Sequence, residues 1–387
     1  MISIPENGKI KQEPKGRDFM NSENKLKFTS STAYDLLFSM ARINCHELFN
    51  KTYTYPKYKG KLHPDNELEL WVNEQRQNLP DWIKALINRF FNCETFFGAS
   101  CMIYIENNEL KTAREFIDFM KKIPAKDILK YFLYSGFGAE VDEKDSASLD
   151  RLVNRLTSDE KETLIFITEK TIHSASEKAN LLDFFDDPEQ MKDDYISLLE
   201  WFYENVFADL EDDVKEKNEE KLEELKRRIP TDAKTAVEKL SLSSSERIKK
   251  ESIYLGVSYY LGVMAASASL QLDKKGHAFV IGYDRMEFVD IEESETESCA
   301  QVFEAMGHPE RIRILRELFK GKTTVTKLAK KLKLTTREVH DHINQLTRSG
   351  LVKSELEDDM MHSLYCDKET VKEKAGKALE RLLKVEQ

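Results

Sequence analysis

The sequence lacks the cysteine pattern of a disulfide-stapled or zinc-binding protein. Its five cysteines are odd in number, and no two of them have CxxC spacing; they are Cys45, Cys93, Cys101, Cys299 and Cys366. Disulfide frameworks are typical of small secreted domains, whereas scattered cysteines are the default of reducing compartments. We therefore expect free thiols, no disulfide framework and a cytoplasmic protein.

A segment of the kind that directs secretion or spans a membrane is also missing. Residues 1–19 have no apolar core and are rich in Pro, Gly, Lys and Glu, so we expect no secretion signal and a disordered N-terminus over residues 1–24. Residues 253–272 are uncharged, but their serines, tyrosines and glycines keep the hydropathy below that of a membrane span. A buried helix or a ligand-lining element is the favoured interpretation.

Motifs for catalysis are absent as well. The chain has no GxSxG nucleophile turn, no phosphate-binding loop and no dinucleotide fingerprint. His46-Glu47 lacks the second histidine of a zinc-protease helix, and His63 and His173 stand alone. Isolated histidines are more often surface or partly buried side chains than catalytic groups. We predict that the protein is not an enzyme and holds no cofactor.

The most specific pattern in the chain covers residues 303–366. Apolar periodicity predicts three helices there, at residues 312–319, 325–332 and 336–348. Ser349-Gly350 ends the third helix, and two short strands flank an acidic turn at residues 357–359. A helix, a helix–turn–helix and a hairpin in this order are typical of a winged-helix module that binds double-stranded DNA.

The third predicted helix has an apolar side and a polar side. Val339, Ile343 and Leu346 recur at i, i+4 and i+7, which predicts a buried stripe. Projection of the helix places other side chains opposite or beside that stripe, namely Thr336, Arg337, His340, Asp341, Asn344 and Arg348. Because Arg can bind guanine and Asn can bind adenine in bidentate fashion, Thr336, Arg337, His340 and Asn344 are predicted to read bases.

Capping signals mark both ends of this helix. Thr335 occupies the N-cap position at the edge of the predicted DNA-contacting set, and Glu338 three residues later completes a capping box. Gly350 follows the last helical residues, where the left-handed conformation is favourable. The helix is therefore predicted to run from Thr336 to Arg348.

Charge is distributed unevenly along the chain. Residues 297–387 contain 18 basic and 15 acidic residues, a net charge of +3, whereas the rest of the chain carries 41 basic and 55 acidic residues, a net charge of −14. Within residues 320–353 nine basic residues face two acidic ones. A basic island in an acidic chain is expected of a phosphate-binding surface. The predicted phosphate contacts are Lys330, Lys331, Lys333, Arg348 and Lys353.

Residues 299–384 resemble the winged-helix domain of the ArsR-type (arsenic-repressor-like) bacterial transcription regulators. The similarity lies in four segments, residues 305–315, 328–335, 339–346 and 349–352. The resemblance implies a dimer held by a first and a last helix. The last helix here, residues 369–383, has Val371, Ala375, Ala378, Leu379 and Leu382 on one face.

The sequence departs from that family at two places. Neither residues 325–332 nor residues 369–383 contain Cys or His, so metal sensing at the family's positions is disfavoured. Asp341 stands where the family usually has a basic or amide residue, which puts the base-reading role of position 341 in doubt.

A long helical region is predicted before this module, over residues 25–296. Exceptions are a loop rich in Tyr and Lys at residues 52–64, a short strand at residues 96–104 and a hairpin of residues 277–281 and 286–291. A charge-dense helix at residues 209–228 is interpreted as a solvated helix with one buried edge, with a coiled-coil arm as the alternative. Of the 38 aromatic residues, 35 precede residue 297; core packing is favoured over a ligand pocket.

Together these features predict a mainly α protein with a helical effector or dimerisation domain (residues 25–296) and a C-terminal winged helix (residues 297–387). The expected function is sequence-specific DNA binding by a homodimeric repressor whose N-terminal domain senses a non-metal small molecule or a partner. Two alternatives remain open. One is a protein-interaction module, motivated by the acidic residues 355–359 and Asp341; the other is an enzyme fused to a regulator.

Overall fold

The computed structural model describes the chain in segments, namely residues 26–55, 58–135, 145–171, 173–230, 232–242, 252–270, 276–292, 295–356 and 362–383. The predicted disorder of residues 1–24 and the acidic turn at residues 357–359 lie outside these segments. None of the helices described combines the length and the apolar character needed to cross a bilayer.

The chain is mainly α, as the sequence predicts, with two small sheets. The helices of the N-terminal region are α1 (Thr32–Asn50), α2 (Asn66–Asn78), α3 (Asp81–Phe90), α4 (Ile103–Asn107), α5 (Ala113–Met120), α6 (Ala125–Ser135), α7 (Ser146–Leu156), α8 (Glu160–Lys170), α9 (Ala175–Asp186), α10 (Pro188–Phe202), α11 (Glu211–Arg228), α12 (Ala233–Lys239) and α13 (Arg285–Glu292). The C-terminal helices are α14 (Glu295–Met306), α15 (Pro309–Leu318), α16 (Val325–Leu332), α17 (Thr336–Arg348) and α18 (Lys368–Leu383).

A four-stranded sheet lies in the N-terminal region. Its strands are β1 (Leu26–Phe28), β2 (Ile253–Ser258), β3 (Ala265–Ser269) and β4 (His277–Gly282), in the order β1-β2-β4-β3. The β1, β2 and β4 strands are parallel, with Leu26 opposite Ile253 and Ile253 opposite His277, whereas β3 runs antiparallel to β4. The strand β1 reaches its partner across more than 220 residues of sequence, so the sheet brings together the two ends of the helical region.

Both faces of this sheet are covered. Tyr254, Ala278 and Val280 belong to the large core around α1, while Leu255 and Phe279 point to the other face and belong to a second core with α11 and α12. Successive residues of a strand point to opposite faces, so a strand that is covered on both faces has no solvent-facing positions. All six residues of β2 and all six of β4 are buried.

That double burial explains one wrong prediction. Residues 253–272 were interpreted as a buried helix or a ligand-lining element, but the described part, residues 253–270, contains β2 and β3 with a 3₁₀ turn at Tyr259–Leu261 between them, so the helix is wrong. A continuous apolar run does not distinguish a buried parallel strand from a buried helix. Gly262, with φ +58°, breaks the run where the chain turns back toward the sheet.

Two further expectations of strands are corrected. Residues 96–104, predicted as a strand, form a 3₁₀ segment (Phe97–Met102) and the start of α4. All residues of the 3₁₀ segment are buried, so the apolar run has no alternation of polar and apolar residues that would distinguish a strand from a helix. The second half of the predicted hairpin is the helix α13. There Met286 and Val289, three residues apart, are buried, and Phe288 packs against a separate cluster with Tyr58.

The structure also corrects the expectation that every cysteine is a free thiol. Cys45 and Cys93 form a disulfide, with their Cα atoms 5.6 Å apart. Cys45 lies at a kink in α1 and Cys93 follows α3, so the proximity arises from tertiary packing that the spacing of 48 residues does not reveal. The cysteines at positions 101, 299 and 366 are free.

The expectations for the charge-dense helix and for the aromatic residues agree with the structure. The α11 helix buries Val214, Leu222 and Leu225 and is separated from α10 by a π turn at Tyr203–Phe207. Aromatic side chains fill the large core: Phe90 stacks on Phe184 with ring centroids 5.1 Å apart. One role of these residues is therefore to pack the helices of the N-terminal region together.

A buried carboxyl group links the sheet to the helices. Asp35 of α1 is fully buried and accepts hydrogen bonds from Ser258 Oγ (2.7 Å), Asn218 Nδ2 (2.6 Å) and the Tyr259 backbone N–H (3.0 Å). Tyr283 donates to the same Asn218 at 2.7 Å. Burial raises the pKa of Asp35 from 3.8 to about 7, although its three donors act in the opposite direction.

This pKa shift predicts a specific pH dependence of stability. Between the unfolded pKa of 3.8 and the folded pKa of about 7, the native state holds a proton that the unfolded state has lost. The contribution of Asp35 is therefore full at low pH and is lost as the pH rises through 7, by an amount on the order of a few kcal/mol. Relative to Asp35→Asn, which cannot titrate, the wild type should lose unfolding free energy between pH 5 and pH 8.

Urea unfolding of both proteins at the two pH values measures this difference. Ser258→Ala removes one donor but keeps the carboxyl group, so it should retain the pH dependence. A wild-type-minus-Asp35→Asn difference that is the same at pH 5 and pH 8 would contradict the assignment.

Candidate nucleic-acid interface

The C-terminal helices α14–α18 enclose a core of their own. Ile314, Leu318, Leu328, Val339 and Leu346 are buried at its centre. The two-stranded hairpin of β5 (Lys353–Leu356) and β6 (His362–Tyr365) closes one side of this core. Thr323 joins Leu364 of β6 by an isolated antiparallel bridge, with backbone hydrogen bonds of 2.7 and 3.0 Å. This is the predicted helix, helix–turn–helix and hairpin.

The three predicted helices are present, and two of them, α16 and α17, have the predicted bounds. The Thr335 hydroxyl accepts from the Glu338 backbone N–H at 3.2 Å, and the Glu338 carboxylate accepts from the Thr335 backbone N–H at 2.8 Å, so the predicted capping box is formed. The Thr335 hydroxyl also donates to this carboxylate at 2.7 Å, and the backbone N–H and hydroxyl of Thr335 together lower the pKa of Glu338. The Thr335 hydroxyl is therefore committed to the cap.

The other end of α17 is closed at Gly350, whose φ is +65°. Its neighbour Leu351 donates its backbone N–H to the Leu346 carbonyl at 2.9 Å. Both ends of the helix are fixed by local sequence, so the position of its polar face is fixed as well.

The apolar stripe of α17 is buried as predicted, since Val339, Ile343 and Leu346 are at most 5% exposed. The opposite face carries exposed side chains, namely Arg337, His340, Asp341, Asn344 and Arg348; Thr336 is half-buried. The predicted base-reading residues thus lie together along one helix. This arrangement follows directly from the helical period.

Asn344 and His340 form a hydrogen-bonded pair on this exposed face. The Asn344 amide nitrogen lies 3.1 Å from His340 Nδ1, one helical turn away. An Asn amide has two N–H donors and one carbonyl acceptor, so a bond to His340 leaves one donor and the acceptor available. Those two groups are what bidentate recognition of adenine requires. His340 can therefore orient Asn344 without blocking it.

The predicted phosphate-binding lysines have different surroundings. Lys330, Lys333 and Lys353 are exposed, and Lys333 occupies the left-handed C-cap of α16 with φ 57°. Lys331 forms an ion pair with Glu317 at 2.6 Å, which Lys320 also contacts at 2.6 Å. Both lysines lower the pKa of Glu317. Part of the charge of Lys331 is thus compensated within the protein.

Arg348 makes a contact that the sequence did not predict. Its guanidinium carbon lies 5.0 Å from the ring centroid of Tyr55, which belongs to the loop after α1. A cleft of about 250 Å³ adjoins this contact and is lined by Tyr55, Gln301, Glu304, Ala305, Gln345, Arg348 and Ser349. The end of α17 therefore meets the N-terminal region. The Tyr- and Lys-rich composition of the loop was the only signal, and it did not identify the contact.

His308 and His342 make contacts within the C-terminal module. His308 caps α15 by accepting the Glu310 backbone N–H at 3.2 Å, and its ring lies 4.7 Å from that of His342. Burial and the proximity of His308 lower the pKa of His342. These contacts give His342 a packing role at the junction of α15 and α17.

The α14 and α18 helices pack side by side and leave apolar groups exposed. Val371 and Ala378 of the predicted stripe are buried, and Cys299 donates its thiol to the Ala378 carbonyl at 2.8 Å. Ala375 is half-buried, whereas Leu379, Leu382 and Leu383 of α18, Phe303 of α14 and Ile312 of α15 are exposed. The stripe on α18 thus covers α14 with one part and presents the other part to solvent.

Comparison with known proteins gives one result for this region. Residues 306–355 match a protein-family model described as a helix-turn-helix domain. No similar curated protein and no similar solved structure was found. The matched residues run from the end of α14 through α15, α16 and α17 into the first strand of the hairpin. The chain therefore contains a helix-turn-helix domain, which is the mark of a DNA-binding regulator.

Proposed function

We propose that this protein is a homodimeric, ArsR-like transcriptional repressor that binds a two-fold symmetric DNA site. In this proposal α17 enters the major groove. Arg337 and Asn344 read base edges, His340 orients Asn344, and Thr336 contacts the groove wall. Lys330, Lys333 and Lys353 contact phosphates, with Lys331 in a weaker role because of its ion pair with Glu317.

The observation that carries the proposal is the polar face of α17. Its two ends are capped, its apolar stripe is buried, and it presents a guanidinium and a carboxamide to solvent beside exposed lysines. Phosphate contacts supply affinity and register, whereas base-edge contacts supply sequence preference. The face has side chains suited to both tasks, and they lie on one helix and its immediate neighbours.

The homodimer is supported by the exposed apolar surface of α14, α15 and α18. Leu382 and Leu383 are 63% and 68% exposed, and Leu379 is 48% exposed. These three leucines lie within five residues of one helix, and a cluster of exposed apolar groups marks an interaction site. A second copy packed on this surface by two-fold symmetry would bring two α17 helices to one side of the dimer, as half-sites one DNA turn apart require.

The effector role of residues 25–296 is part of the proposal. That region has a core separate from the one around α17 and contacts α17 at Tyr55. A non-metal ligand or partner bound there would act by favouring one spacing of the two α17 helices over another.

The base-reading role is tested by the double variant Arg337→Ala/Asn344→Ala. Each bidentate contact contributes about 1–3 kcal/mol of discrimination between bases, so the variant should bind a selected site no more tightly than random DNA. Lys330→Ala is the matched control. It should weaken binding to all sequences alike and lower the slope of log K against log salt by about 0.9. Fluorescence anisotropy with both DNAs at several salt concentrations measures each effect.

A double variant that retains the wild-type sequence preference would refute this role. If the wild-type protein itself showed no preferred DNA, a protein-binding role for the winged helix would be favoured instead.

The dimer surface is tested by Leu379→Glu/Leu382→Glu. Both side chains are exposed in the protomer, so the substitutions should leave the fold intact while placing charge in the proposed interface. Analytical ultracentrifugation should show a monomer at concentrations where the wild type is a dimer. Leu70→Glu, at an exposed leucine of α2, is the control and should remain dimeric. A dimeric Leu379→Glu/Leu382→Glu variant would place the interface elsewhere.

A further inference from the structure

The loop that meets α17 has an unusual charge for its surroundings. Residues 51–62 contain four lysines and no acidic residue, although the region before residue 297 carries 41 basic and 55 acidic residues. Lys51, Lys59 and Lys61 are exposed. The position of this basic segment in the fold, beside α17, suggests an explanation for its charge.

Tyr55 places this loop beside the end of α17. Its ring lies 5.0 Å from the guanidinium carbon of Arg348, the last residue of the helix. Two of the loop's lysines, Lys51 and Lys59, each lie four residues from Tyr55. Four residues of chain span at most about 14 Å, which is short compared with the width of a DNA duplex. Lysines of the loop and Arg348 are therefore close enough to belong to one cationic surface.

Contacts with α13 and the residue before it hold this loop in place. The Tyr58 backbone N–H donates to the Tyr55 carbonyl at 3.0 Å, and the Tyr58 ring lies 5.3 Å from that of Phe288 on α13. Tyr53 donates its hydroxyl to Asp284, directly before α13, at 2.5 Å. These contacts hold the loop against the helix that precedes α14, so the backbone at Lys51 and Lys59 has a defined position relative to the helix-turn-helix domain.

We infer that the described parts of this loop, residues 51–55 and 58–62, form a second DNA-contacting element, in which Lys51 and Lys59 bind phosphates flanking the bases read by α17. This inference rests on the proposed function and extends it to the N-terminal region. The partner is the backbone of double-stranded DNA, because flexible ammonium groups bind phosphate as point charges and carry no base preference. Tyr55 acts as a positioning residue: its ring holds the loop on Arg348 and itself contacts no DNA.

The inference is tested in the full-length protein with Lys51→Gln/Lys59→Gln. Both side chains are exposed, so the fold should be retained. If both lysines contact phosphate, the slope of log K against log salt should fall in magnitude by about 1.8, which is twice about 0.9. Affinity should fall for specific and random DNA alike, and sequence preference should not change. The control Lys161→Gln/Lys234→Gln removes the same charge from exposed sites on α8 and α12 and should leave the slope unchanged.

Tyr55 provides a second, independent readout. Tyr55→Ala should weaken DNA binding in the wild-type background and have a smaller effect when Lys51 and Lys59 are already replaced, because undocking the loop then removes no phosphate contact. Tyr55→Phe keeps the ring over Arg348 and should bind as the wild type does.

The failure of this inference differs from failure of the proposed function. If the wild type binds DNA with sequence preference and Lys51→Gln/Lys59→Gln has the same salt slope as the wild type, the loop does not contact DNA and only this inference falls. If the wild type binds no DNA at low salt, both fall together.

Discussion

The burial of one apolar stripe determines which side chains of this protein can meet a partner. Val339, Ile343 and Leu346 must pack against α15 and α16, and the helical period then leaves Arg337, His340 and Asn344 on the exposed side. The caps at Thr335 and Gly350 fix where the helix starts and stops. Rotation of α17 by a single residue would bury polar groups and expose the stripe, so packing and recognition are set by the same constraint.

The C-terminal module could be predicted from sequence because its signals are local. Helical periodicity predicted α16 and α17 with their observed bounds, and for α17 the capping box at Thr335 and the glycine at position 350 marked the two ends. The sheet could be predicted only in part. The strand β4 was expected at residues 277–281, but β2 has no solvent-facing positions that would give a strand period, and β1 lies far from it in sequence, so neither β1 nor β2 was identified. The Cys45–Cys93 disulfide and the Tyr55–Arg348 contact likewise arise from tertiary packing between distant segments.

The N-terminal region packs as a scaffold and also contacts the helix-turn-helix domain. Its aromatic residues build the large core, and the sheet is held between that core and α11. Asp35 joins α1, α11 and β2 through one buried carboxyl group. The same region then reaches the helix-turn-helix domain through the loop beside Arg348 and through α13. Two contacts therefore connect the N-terminal region with the helix-turn-helix domain.

The central claim is that the exposed face of α17 reads DNA as part of a two-fold symmetric dimer. Selection of bound duplexes from a random pool by the full-length protein tests it most directly. The account predicts enrichment of an inverted repeat whose half-site centres lie about one helical turn, about 34 Å, apart. A pool that shows no enrichment, or one that yields a single asymmetric site, would contradict it.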